Sequence, residues 1–176
     1  DVLIKNADTA MYEAKRAGKN RMMPFRKETG LRIVRHLALE TGLRRALERN
    51  ELSLAFQPIM DLATGSVAGA EALLRWNNAE LGQVGPAEFI PIAEETDLIK
   101  DIGEWVLKES CRAARELSRD IGRPLFMSIN LSARQVERRI VDMVAEALDA
   151  HFLSPDMLKV EVTESLLIRD APLTLE

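Results

Sequence analysis

Residues 124–165 read PLFMSINLSARQVERRIVDMVAEALDAHFLSPDMLKVEVTES. PLFMSINLS is a strand pattern carrying Asn130 near its end, and Ser132 and Gln135 just behind it stand at S-x-x-Q capping-box spacing. The box predicts a helix over 133–152, and DMLKVEVTES is the next strand. A strand, a helix and a strand at this spacing make a βα unit. Such a unit requires a parallel sheet, because the chain must cross over before it pairs again.

Upstream, the same alternation continues. LIKDIGEWVLKESCRAARELSRDIG (98–122) is a long amphipathic helix with Ile102, Trp105, Val106, Cys111, Ala113 and Leu117 on its inner stripe. PAEFIPIAEE (86–95) begins with proline, which suits a helix N1 position. LSLAFQPIM (52–60) and SVAGAEALLRW (66–76) are strands joined by DLATG, a hairpin turn. Pro58 puts the first of them at an edge or a terminus. LALETGLRRALERN (37–50) is a helix with Leu37, Leu39, Leu43 and Leu47 on one side. Residues 22–36 mix Pro24, Gly30 and charges in the manner of a linker, and ADTAMYEAKRAGKNR (7–21) is a helix stopped at Gly18.

With 176 residues and 47% hydrophobic content, the chain has ample material for a packed core. Its 24 Lys and Arg against 28 Asp and Glu give a net charge of −4, which offers no basic footprint for a long nucleic acid. One cysteine, Cys111, rules out an internal disulfide and a Cys-rich zinc site, and His36 and His151 stand far apart in the sequence. No stretch reaches the roughly 20 apolar residues of a membrane span, so the segment reads as cytoplasmic in character without membrane contact.

Against this background Glu71 is unusual, a carboxylate inside the apolar run AEALLRW (70–76), where it needs a cation or a donor. Reactive groups of βα barrels gather at the C-terminal ends of strands. Glu71, Asn130 and Glu161 are three oxygen-bearing side chains at such positions, and oxygens without His or Cys suit Mg²⁺ or Mn²⁺ over Zn²⁺. Arg75 would offer a planar fork to a phosphate beside the ion. Taken singly, each residue has a plainer reading: Glu161 as the polar side of a half-exposed strand, Asn130 as a helix-start residue, and Arg75 and Gln57 as solvated side chains. Glu164 suits a helix N-terminus, and Glu94 and Glu95 read as surface.

Five blocks in order, FQPI, EALLRW, FIPIAEET, INLSARQ and EVTES, resemble the first half of an EAL-type cyclic di-GMP phosphodiesterase domain. ADTAMYEAKRAGKNR resembles the end of a GGDEF-type diguanylate cyclase domain. The implied organisation is a GGDEF-like remnant over 1–26, a linker over 27–36 and the N-terminal portion of an EAL-like domain over 37–176. The implied fold is α/β, the first half of a TIM-like (β/α) barrel, with an N-terminal helix from the preceding α/β domain.

By the same resemblance, Glu71, Asn130 and Glu161 are metal positions, with Glu71 also catalytic. Glu164 is a catalytic-site residue supporting a loop, and Gln57, Leu74 and Arg75 are substrate contacts. The implied reaction is hydrolysis of cyclic di-GMP to linear pGpG with Mg²⁺ or Mn²⁺, two ions in the complete domain. The family's paired aspartates, lysine and final glutamate belong to later strands, so the chain alone is expected to be inactive and its activity to belong to the parent protein. The alternative is a degenerate EAL domain that acts as a cyclic di-GMP receptor or protein-interaction module. A half barrel also predicts homodimerisation through the exposed edge around 157–164. Asp97, where the family often has glycine, leaves one local turn in question.

Overall fold

The computed structural model describes residues 27–136 and 139–162, with scattered positions from 4 to 22. Helix α1, Lys27–Leu43, runs unbroken through the segment expected to be a linker. Arg35 explains part of this, because its guanidinium donates from Nε and Nη2 to the two carboxylate oxygens of Glu88, at 2.8 and 3.2 Å. Its C-terminal half is held by apolar burial: Leu39 and Leu43, with Ala46 in the turn beyond, enter a cluster with Trp76, Val84, Phe89 and Ile92.

Strands β1 (Leu52–Asp61) and β2 (Ser66–Asn78) form the expected antiparallel hairpin, closed by Gly65 in the left-handed region at φ 67°. A register shift between Ile59 and Met60 follows Pro58 directly. The sequence pattern missed β3 (Gly82–Val84), three residues that exist as a strand through pairing with Trp76–Asn78. Helix α2 (Pro86–Glu95) and helix α3 (Leu98–Ile121) follow, with α3 stopped by Gly122 at φ 76°. The turn between them keeps Asp97 at φ 59°, the left-handed geometry that glycine adopts most readily.

Strand β4 (Phe126–Leu131) and strand β5 (Leu158–Val162) pair in parallel, and β4 pairs in parallel with β2. The sheet order is β1-β2-β4-β5, with β3 branching from β2 and β1 at an edge as Pro58 requires. The Ser132–Gln135 capping box is present, but it opens a 3₁₀ turn over Ala133–Gln135, and helix α4 is described over Arg139–Ala150. On one face of the sheet Ala70, Ala72, Met127 and Ile129 pack under Leu107, Cys111 and Ala114 of α3 and Ala147 and Leu148 of α4. Burial of that face leaves the opposite face for polar groups.

Candidate active site

Side chains alternate along a strand, so registered partners share a face. Gln57 faces Glu71, Glu71 faces Ser128, and Asn130 faces Glu161. Alternation adds Leu73 and Arg75 on β2 and Lys159 on β5 to the same side. This is the face turned away from the helices. Asn130 is penultimate in β4, and Glu161 stands one residue before the last described position of β5. Glu71 lies mid-strand in β2, because pairing with β1 and β3 carries that strand on to Asn78, yet its parallel pairing with β4 ends at Ala72.

Two hydrogen bonds organise the carboxylates. Asn130 donates from Nδ2 to Glu71 Oε1 at 2.7 Å, and Ser128 donates from Oγ to Glu161 Oε1 at 2.6 Å. The donor that Glu71 needs is therefore an amide on the neighbouring strand. At the N-terminal end of β4 the Phe126 ring lies across β2, where a Cβ at Gly69 would come within 2.7 Å of it, and Lys159 Nζ sits 3.4 Å from the ring centroid. An aromatic floor thus underlies the polar layer.

Arg75 shares the face of Glu71, and its Nη1 donates to the Leu74 carbonyl at 3.0 Å. Leu74 does not join the group: an odd offset from Glu71 turns its side chain to the helix side, where it packs against the Trp76 cluster. Glu164 lies outside the described residues.

The loop behind Asn130 is latched to the helices. Ser132 Oγ donates to Glu94 Oε1 at 2.5 Å, the Ser132 amide to Gln135 Oε1 at 2.8 Å, and Gln135 Nε2 to the Ile99 carbonyl at 3.0 Å. A Cβ at position 103 would overlap Gln135 Nε2, so Gly103 gives that side chain its seat. Sequence reasoning read Glu94 as surface and gave Ser128 no role, although Ser128 shows the same alternation as Asn130 between buried Met127 and Ile129.

The donor set fits a hard divalent cation: two carboxylates and one amide, with no imidazole or thiolate. Among the described residues no three His, Cys, Asp or Glu side chains gather to hold a metal.

A family model described as the EAL domain matches residues 40–174. The chain belongs to the EAL domain family. This EAL chain is 44% identical over 175 residues to the bifunctional diguanylate cyclase/cyclic di-GMP phosphodiesterase MucR of Pseudomonas aeruginosa, covering 98% of this chain and 25% of that protein. To the cyclic di-GMP phosphodiesterase PdeR of Escherichia coli it is 37% identical over 174 residues, covering 98% and 26%. It therefore spans about a quarter of the length of these relatives.

Among solved structures, the PaMucR phosphodiesterase in complex with c-di-GMP matches with TM-score 0.73 and 46% identity, over 78% of this chain and 56% of that one. The crystal structure of the FimX EAL domain matches with TM-score 0.68 and 29% identity, over 77% and 54%. The mixed sheet and its helices form a partial TIM-barrel-like arrangement of EAL type. Among the described residues no helix is long and apolar enough to cross a membrane.

Proposed function

We propose that this EAL domain serves metal-dependent hydrolysis of one phosphodiester of cyclic di-GMP, giving linear pGpG, in second-messenger signalling. The observation that carries the proposal is the pair of carboxylates on strands flanking β4, each held by a β4 donor on the face away from the helices. Relatives named as cyclic di-GMP phosphodiesterases, MucR and PdeR among them, support the same substrate.

Glu71, Asn130 and Glu161 would hold Mg²⁺ or Mn²⁺. In such a site the divalent ions supply a hydroxide-like nucleophile near neutral pH and screening of phosphate charge. The chain's own residues do the rest. Asn130 orients Glu71 by donating to Oε1, Gln57 and Arg75 flank it on the same face, and the Arg75 guanidinium offers paired donors to a phosphate. Glu164 is proposed to support a loop beside the site.

The match to a bifunctional cyclase/phosphodiesterase over 98% of this chain supports reading residues 1–26 as the end of a GGDEF-like domain. The proposed place of action is the cytoplasm.

The test is Glu71→Ala in the intact protein, with pGpG followed by chromatography in Mg²⁺ or Mn²⁺. Turnover should fall by about two orders of magnitude or more, while the circular dichroism spectrum stays that of the wild type. Unchanged turnover would refute the metal role of Glu71, and tight nucleotide binding by the wild type with no pGpG would select a receptor.

A further inference from the structure

The two carboxylate bonds cross. Glu71 is level with Ser128 in the register yet accepts from Asn130, and Glu161 is level with Asn130 yet accepts from Ser128. Strand β4 thus serves two acids with two donors, each reaching diagonally. Ser128 is only 1% exposed, and both its strand neighbours at that level, Glu71 and Lys159, are charged residues. A hydroxyl in that position is costly unless bonded, and its bond goes to Glu161.

We propose that Ser128 is a positioning residue that ties down one oxygen of Glu161 and keeps this acid from taking the amide of Asn130. This inference rests on the reading that Glu71, Asn130 and Glu161 hold a divalent cation. Without the Ser128 hydroxyl, the donor level with Glu161 is the Asn130 amide, which already serves Glu71. Lys159 is level with Ser128 as well, but its ammonium is engaged over the Phe126 ring. Removal of one hydroxyl therefore disturbs both acids, although Ser128 itself has no place in the set of ligands.

The experiment is calorimetric titration of the intact, nucleotide-free protein with Mn²⁺. Ser128→Ala should weaken Mn²⁺ binding about tenfold to a hundredfold, the usual effect of losing a partner that orients a ligand. Its melting midpoint without metal should stay at the wild-type value. Ser128→Thr, which keeps the hydroxyl, should restore binding, and Ser128→Cys, near in size but a weak donor, should behave as Ser128→Ala does should the alanine variant not fold. Glu161→Gln separates the two levels of the inference. If Glu161→Gln binds Mn²⁺ as the wild type does, the metal reading falls and the role of Ser128 falls with it. If Glu161→Gln loses binding while Ser128→Ala and Ser128→Cys bind as the wild type, the positioning role alone is overturned.

Discussion

Cys111 shows how strongly a single environment acts on one side chain. It is fully buried in α3 against the helix-facing side of the sheet, and that burial pushes its thiol pKa up to about 11. At pH 8 only about one thiol in a thousand is then thiolate, against roughly one in four at an ordinary cysteine. A disulfide reagent at pH 8 should leave the native protein unmodified and react promptly in urea. Stoichiometric labelling of the folded protein at that pH would contradict the burial. Glu51 illustrates the opposite remedy for a partly buried group: its Oε2 accepts from Trp76 Nε1 at 3.1 Å and Asn78 Nδ2 at 2.8 Å, so the carboxylate is satisfied by donors from β2.

Among the elements, the connection after β4 decides how firmly Asn130 is presented. Its 3₁₀ turn is tied to α2 through Ser132 and Glu94 and to α3 through Gln135 and the Ile99 carbonyl, with Gly103 leaving room for Gln135. Gly103→Ala tests this latch. The added methyl raises helix propensity by about 1 kcal/mol, while displacing Gln135 forfeits hydrogen bonds of about 1 kcal/mol each. With two such bonds at stake, the net loss is about 1 kcal/mol, so the melting midpoint should fall by only a few degrees. Amide hydrogen exchange over residues 132–134 should nevertheless quicken severalfold. Unchanged exchange there would show that the latch does not restrain the loop. Gly69 is less forgiving, since a Cβ would meet the backbone oxygen of Phe126, which no rotamer change can relieve.

At the scale of the molecule, two apolar clusters carry the structure. One surrounds Trp76 and Phe89, whose rings meet edge to face at 5.6 Å, and the other surrounds Met127, Ile129 and Cys111. Val106 packs against both. The ion pairs on the outer side of α3, such as Lys108 with Glu104 and Arg112 with Glu116, are half exposed and contribute little by comparison. Because the clusters share α3, they should unfold together. Tryptophan fluorescence, which reports the first cluster, and Cys111 labelling, which reports the second, should give one urea midpoint. Two separated midpoints would mean that the clusters are independent units.

The sequence by itself determined the strands β1, β2, β4 and β5, the long helix α3, and the alternation within each strand, because period and turn chemistry are local, whereas the pairing register brings Gln57, Glu71, Asn130 and Glu161 to one face. The opposite facing of Leu74 was legible in the same alternation and went unread. Only the tertiary structure decided the rest. Strand β3 exists because Trp76–Asn78 offers it a partner, and α1 runs on through Gly30 while Glu88 anchors Arg35 and the Trp76 cluster receives Leu39 and Leu43. The crossing of the two carboxylate bonds over β4 likewise depends on how neighbouring strands are staggered, and stagger is set by contacts between residues 30 to 60 positions apart in the chain.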